Sequence, residues 1–454
     1  MKFRKFGKTV LTAALGSAVV FSLSSCVHSF TSGYLYVTGT VTGTPAGDGI
    51  ISGFKIDNNT GKLTALHGLP VSSGGANPVR AVLIGGGRFV YVLNQGIPEN
   101  PSYGCGAPLP DGSTNNCKNP NITQFVVGGN GILTPQETFF TEGSNPTRLI
   151  SDSSGSYLFA LDQNAPASTF CTTVSPGAAS CGDVTVFSIN STTGRLSVVT
   201  NAQLTSSSGT PIAYFPVPAN PLDIVNVGGY LFTLSGVRGV KGGQFVYPYG
   251  YSSLNGQLSV TESTPQVVNN GSGGVLDQAR AMVSAGGKIY ILDTEPLTAT
   301  VNGATTTSPS QILPFTIGNN GALQSVTGGA IQNDPNETDP IYLILESKGK
   351  FAYVANQQGA TTSAGAGIAG FFIDPASGIL SEDGGSPWGT GSNPQCLIED
   401  PSNQFIYTAN AGDSTVTGRV ISPNTGDLTE MKGSTGTFPL QGPASWCIVT
   451  GRTN

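Results

Sequence analysis

A turn of the form Gly-x-Leu recurs seven times along the chain, at Gly61-Lys62-Leu63, Gly131-Ile132-Leu133, Gly194-Arg195-Leu196, Gly256-Gln257-Leu258, Gly321-Ala322-Leu323, Gly378-Ile379-Leu380 and Gly426-Asp427-Leu428. Self-similarity at a steady spacing means copies of one supersecondary unit, each unable to bury its apolar face alone. A strand-like run precedes each turn, as at 184–189 and 312–317. Glycine supplies the positive φ of a tight hairpin, and leucine begins the return strand.

A second signature interleaves with the first. Asn-Pro or a near variant opens an apolar run, and a turn then leads to an aromatic-rich strand. Asn77-Pro78 leads to Phe89-Val90-Tyr91-Val92, Asn145-Pro146 to Tyr157-Leu158-Phe159, and Asn220-Pro221 to Tyr230-Leu231-Phe232. Asp339-Pro340 leads to Phe351-Ala352-Tyr353-Val354, and Asn393-Pro394 to Phe405-Ile406-Tyr407. One copy is degenerate, with Asp277-Gln278-Ala279 before Ile289-Tyr290-Ile291. Proline suits the start of a strand, where the ladder does not yet need its missing N–H. The last copy is split: Gly442-Pro443 opens a run through Trp446, and its aromatic partner Tyr34-Leu35-Tyr36-Val37 stands at the other end of the chain. Division of one unit between the termini is how a ring closes and loses its free edges. The sequence therefore predicts an all-β, seven-bladed β-propeller with four-stranded blades, the last blade closed by strands from both termini.

The N-terminus reads as an export signal. Lys2, Arg4, Lys5 and Lys8 precede an apolar stretch at 10–23, too short for a comfortable membrane span. The stretch ends in Leu23-Ser24-Ser25-Cys26, which resembles a bacterial lipobox; the alternative is an ordinary secretory signal in which Cys26 is incidental. The lipobox reading gives a signal peptide at 1–25, a tether at 26–32, one propeller domain at 33–450, and a membrane partner reached through the lipid on Cys26. It places the mature chain in the bacterial cell envelope, as a periplasmic, outer-membrane or cell-surface lipoprotein.

Cysteine usage agrees with an oxidising compartment, since removing Cys26 from the seven cysteines leaves an even number. Cys105 with Cys117, and Cys171 with Cys181, each bracket a polar loop and are read as loop staples. Cys396 and Cys447 sit in apolar strands and are either a bond or two buried thiols. The net charge of −6 carries no basic stripe for nucleic acid. No His/Cys metal spacing, phosphate loop or nucleophile elbow is present, so no metal or cofactor is expected, and the chain is expected to be a monomer.

Ordering each blade from the axis outward puts the proline-led strand innermost, then the aromatic strand, the strand before Gly-x-Leu and the strand after it. Antiparallel order then sends 96–121, 163–183, 294–310 and 357–367 to one face, together with the connections 205–219 and 261–276. Loops that long in a compact domain are usually functional. The other face carries only tight turns.

The run Gly385-Ser386-Pro387-Trp388-Gly389-Thr390-Gly391-Ser392-Asn393-Pro394, continuing through Asp400-Pro401 to Tyr407-Thr408-Ala409-Asn410, resembles the lactonase-type seven-bladed propellers. That family includes a 6-phosphogluconolactonase and a carboxymuconate cycloisomerase. Phe351-Ala352-Tyr353-Val354-Ala355-Asn356 and Phe371-Phe372-Ile373-Asp374-Pro375 repeat the signature. The resemblance implies hydrolysis or lactonizing isomerisation of a small lactone, with a histidine near the proline-led strands at the channel mouth. This sequence departs from that pattern. The residues two places after each repeat proline are Arg80, Arg148, Asp223, Tyr342, Cys396 and Ser445, with Arg280 in the degenerate copy, and the chain's two histidines, His28 and His67, fall elsewhere. Arg80, Arg148, Asp223, Arg280 and Tyr342 remain as candidate substrate-binding residues, because guanidinium groups around one mouth suit a carboxylate, phosphate or lactone carbonyl. Two functions follow: a lactone hydrolase or isomerase acting on a small anionic ligand, or a non-catalytic propeller binding a glycan, peptide or protein.

Overall fold

The computed structural model describes residues 30–451 apart from 43–46, 101, 106, 114, 176, 262–264, 302–303, 327, 362–364 and 376. Residues 1–25, Cys26 and His28 lie outside the described residues.

Each proline-led run forms the inner strand of one four-stranded antiparallel blade. The inner strands are Pro78–Ile84, Ser144–Ser151, Pro221–Val227, Ala279–Ala285, Glu337–Leu345, Pro394–Glu399 and Ala444–Gly451, and they define blades 1 to 7. Around the axis each inner strand touches the next and the seventh touches the first, so the ring is closed. Closure is made by two ends of the chain, with C-terminal Ala444–Gly451 pairing along N-terminal Thr31–Thr40 from Ala444 to Gly451. The seven-bladed reading and the split last blade are both found.

Asparagine before the proline has a conformational task. Asn77, Asn145, Asn220, Asp339 and Asn393 all adopt positive φ, between 51° and 60°. Asn and Asp tolerate this left-handed region, which turns the arriving chain into the inner strand. Every inner strand then carries a β-bulge near its start, directly after the pair made by the repeat proline where there is one.

Outside blade 1, whose outer strand Leu133–Phe139 runs seven residues, outer strands are short, only three residues in Leu63–Ala65 and Leu196–Val198. The connection to the next blade completes the edge by pairing with the far half of the third strand, as Phe215–Val217 does on Gly182, Asp183 and Val184. Covering the edge in this way leaves little unpaired ladder exposed.

Apolar packing is divided among the blade interfaces: seven buried clusters each join two neighbouring blades. At each interface the first residue of a second strand, or Tyr34 within Thr31–Thr40, lies against the Gly-x-Leu glycine of the next blade. A Cβ on Gly61 would sit 2.4 Å from Phe405, on Gly131 2.5 Å from Tyr34, on Gly194 2.6 Å from Phe89, on Gly256 2.6 Å from Tyr157 and on Gly426 2.5 Å from Phe351. These glycines hold φ between +69° and +80°, so both the backbone and the space exclude a side chain. Two residues further on, a buried tyrosine hydroxyl donates to the same glycine's carbonyl: Tyr36 to Gly131 at 2.7 Å, Tyr353 to Gly426 at 2.8 Å, Tyr407 to Gly61 at 2.6 Å, and Tyr91 to Gly194.

Three disulfides are formed, Cys105–Cys117, Cys171–Cys181 and Cys396–Cys447. The first two staple loops on the loop-rich face, as expected. The third settles the open alternative in favour of a bond, and it joins the inner strands of blades 6 and 7 beside the closing seam.

Two stability results are expected. Gly61→Ala incurs about 1–2 kcal/mol for the left-handed backbone plus the clash with Phe405. Gly86→Ala, at φ +66° with nothing within 4 Å, incurs the backbone cost alone. Urea unfolding should therefore rank Gly61→Ala clearly below Gly86→Ala, and equal losses would remove the interlock. Replacing Cys396 and Cys447 together by alanine, which opens a 51-residue separation, should lower stability by up to about 4 kcal/mol. An unchanged midpoint would show that the seam does not depend on the bond.

Candidate functional site at the channel mouth

The bulge in each inner strand re-aims the residue that follows it. Register places Arg80, Arg148, Asp223, Tyr342 and Cys396 at one equivalent position in their blades. In the two irregular copies the sequence count was off by one. Blade 4 puts Ala281 there, with Arg280 in the bulge, and blade 7 puts Trp446 there instead of Ser445. The last strand starts its ladder at Ala444, one residue after Pro443, so counting from the proline missed Trp446. Aligning its partner Thr31–Thr40 with the other second strands would have found it.

Four of the five candidate residues meet. Arg80, Arg148, Asp223 and Tyr342 line an axial cavity of about 140 Å³ together with Trp446, and the cavity continues past Ile224 toward Ser151, Asn226 and Ser284. This is well below the roughly 300–1,000 Å³ of pockets that enclose a drug-sized ligand. It accepts a small polar group, and its lining runs from the Arg80 level along the inner strands toward their hairpin-face ends.

Arg148 Nε donates to Asp223 Oδ1 at 2.9 Å, and Asp223 also accepts the backbone N–H of Ile224 and of Met282, each at 3.0 Å. Asp223 thus ties blades 2, 3 and 4 at the axis. Both its oxygens are engaged, which leaves it poorly placed to take a proton from water. Arg80 differs. Its guanidinium lies 4.0 Å above the Trp446 ring and its Nη1 donates to the Val79 carbonyl at 2.8 Å. Among the described residues no carboxylate lies within 4 Å of it. Burial and then the neighbouring Arg148 charge push Arg80 down to about 9, with Asp223 and Tyr342 pulling the other way. Tyr342 meets Trp446 edge-to-face at 5.0 Å, closing the opposite wall, and burial raises its hydroxyl.

Arg280 does not line this cavity. It pairs with Asp339 at 3.0 Å and donates to Gln357 on the rim, and burial is the main cause that lowers it. Cys396 is committed to its disulfide. His67 is exposed beside the outer strand of blade 7. The carboxyls most raised by burial, Asp162, Asp183, Asp293 and Glu337, all lie away from the cavity lining. Among the described residues no three His, Cys, Asp or Glu side chains gather as a metal site, and no helix is long and apolar enough to cross a membrane.

No family profile matches the sequence, and no curated protein does. Solved structures do match. The periplasmic gluconolactonase of Pseudomonas aeruginosa superposes with a TM-score of 0.60 at 18% identity, covering 93% of this chain and all of that one. Two proteins provisionally assigned as 6-phosphogluconolactonases are similar as well. The one from Bacteroides fragilis has a TM-score of 0.58 at 17% identity, covering 92% of this chain and 98% of its own. The one from Bacteroides uniformis has a TM-score of 0.60 at 15% identity, covering 93% and 100%. This chain therefore shares the seven-bladed architecture of lactonase-type propellers, and at these identities the likeness is one of fold.

The buried pair Asp162 and Asp183 is an electrostatic fault within blade 2. They are direct cross-strand partners and fully buried, where blade 1 pairs Asn94 with Asn121. Asp162 accepts from Thr141 Oγ1 at 2.9 Å, but its Oδ2 and Asp183 Oδ1 have no hydrogen-bond partner. Burial pushes Asp162 up to about 8 and Asp183 well above the carboxylate range, with Asp162 and then Glu142 adding to the second. A carboxyl raised in the fold binds its proton more tightly there than in the unfolded chain. Its stabilisation is complete below the ordinary carboxylate range near pH 4 and is lost as pH rises toward 8, by up to about 1.4 kcal/mol per pH unit for each proton held. Asp183→Asn should therefore flatten the fall in stability between pH 5 and 8 measured by chemical denaturation. A variant with the wild-type slope would show that the pair is not protonated.

Proposed function

We propose that this chain is an exported, lipid-anchored propeller that binds a small anionic lactone, or the hydroxy acid formed when it opens, at the Arg80 side of the channel mouth. The observation that carries the reading is Arg80 itself: a cation facing a cavity, stacked on Trp446, with no carboxylate within 4 Å of it among the described residues. Arg148, by contrast, is already matched by Asp223. An anion at Arg80 would gain charge-assisted hydrogen bonds from a guanidinium already held in place by an aromatic face. The gluconolactonase fold supports a sugar lactone as the ligand class. Export and the lipid anchor are supported by the 1–26 segment, by three disulfides and by the periplasmic location of one structural neighbour.

Hydrolysis needs a base for water and donors for the developing oxyanion. Arg80 and Arg148 could serve as donors, and Asp223 is the nearest carboxylate but is fully engaged. Recognition therefore has more support than turnover. The second reading, a non-catalytic face for a glycan, peptide or envelope protein, is favoured by the two stapled loops and by an open cleft of about 620 Å³ lined by Gln357, Gln358, Thr390, Ser392 and Asp413.

Gluconate or 6-phosphogluconate should raise the melting temperature by several degrees at high occupancy, since ligand at 100 times Kd adds about 2.7 kcal/mol. Arg80→Gln should remove that gain without lowering the unliganded transition appreciably. In parallel, gluconolactone hydrolysis is measured on the wild type and on Arg148→Ala. Turnover lost in Arg148→Ala would favour the lactonase, and binding without turnover would favour recognition. No thermal shift with any small carboxylate or phosphate would leave the loop face as the binding surface.

A further inference from the structure

The chain reaches its first strand on the hairpin face, opposite the stapled loops. Phe30 donates its N–H to Asn58 Oδ1 at 2.8 Å and accepts the Asn58 N–H at 3.0 Å. Asn58 belongs to the tight turn between Asp48–Asp57 and Leu63–Ala65, so the start of the described chain is pinned among the hairpins. From there Thr31–Thr40 runs through the whole thickness of the blade to the loop-rich face.

Lengths then decide the orientation. Four chain steps separate Cys26 from Phe30, and in any conformation they span at most about 14 Å. The ten residues of Thr31–Thr40 carry the backbone about 33 Å, since a strand rises about 3.3 Å per residue. An anchor on Cys26 cannot reach around the rim to the loop-rich face.

We infer that the propeller sits on its lipid bilayer by the hairpin face, with the stapled loops turned away into solvent. The inference rests on the lipid-anchor reading above and adds a direction to it. Two apolar side chains at this face suit a lipid surface: Phe30 is 55% exposed beside the tether, and Leu254, at the tip of the blade 3 hairpin, is 92% exposed. Charges on the same turns are mixed, with Lys62, Arg88 and Lys288 beside Asp57, Asp152 and Asp400, so the tether length sets the direction and not a basic patch. The stapled loops consequently meet soluble ligands or macromolecules and not lipid.

The full chain is produced in a bacterium that acylates exported cysteines and is reconstituted into phosphatidylethanolamine–phosphatidylglycerol vesicles containing doxyl-labelled lipid. One sample carries Leu254→p-azidophenylalanine and another Val240→p-azidophenylalanine, each coupled to a fluorophore; Val240 is exposed on a loop of the opposite face. Quenching at position 254 should exceed that at 240 several-fold. A Gly/Ser insert of about 20 residues between Ser29 and Phe30 reaches about 25 Å on average and should erase most of the difference. Equal or reversed quenching in protein shown by mass spectrometry to carry the lipid would overturn the orientation while sparing the anchor. A difference that survives the insert would overturn the tether as its cause. An N-terminal peptide without lipid would overturn both the anchor reading and this one.

Discussion

Blade is joined to blade by a side chain laid against a glycine that has no room for one of its own. Six of the seven contacts include an aromatic ring, and the degenerate blade 4 sets the Nζ and Cε end of Lys288 against Gly378. The geometry satisfies two demands together. The glycine makes the hairpin between third and outer strands, and its bare Cα lets the neighbouring ring approach. Where a tyrosine follows two residues later, its hydroxyl also satisfies the turn's carbonyl, which would be costly to leave buried and unpaired. Because each contact spans two blades, the repeats cannot be stable singly. The seam between Thr31–Thr40 and Ala444–Gly451 is of a different kind, a backbone ladder within blade 7, whose inner strand the Cys396–Cys447 bond also ties to blade 6.

The candidate site follows from closure. Seven inner strands around one axis bring residues that are distant in sequence to within hydrogen-bonding range. Arg148 and Asp223 are 75 residues apart, and Arg80 meets Trp446 from the far end of the chain. Blade packing does not require charges at this position, as Ala281 and the bonded Cys396 show. Asp223 has a structural explanation, since it neutralises Arg148 and caps two backbone N–H groups. Arg80 on Trp446 lacks such an explanation.

The fold was legible because the repeat encodes local conformational needs that only certain residues meet: glycine for the turn, asparagine then proline for the inner strand, and an aromatic for the interlock. The same counting carried Arg80, Arg148, Asp223 and Tyr342 to the axis. It failed where a copy lacks the proline or shifts it, at Arg280 and Ser445, because ladder register and not spacing from a proline decides which side chain enters the channel. Trp446 was therefore overlooked, although it forms the floor beneath Arg80. The buried Asp162–Asp183 pair was equally hidden, since the acids lie 21 residues apart in sequence and only the pairing of two strands brings them face to face.

The central claim is that Arg80 and Trp446 form an anion site, and the indole itself can report on it. The chain has two tryptophans, Trp388 and Trp446, and Trp388→Phe leaves Trp446 as the sole emitter at the mouth. Titrating that variant with gluconate while recording tryptophan fluorescence should give a saturable change, reversed by dilution and absent when Arg80→Gln is added. A flat titration in a variant that still melts as a single cooperative unit would contradict the account.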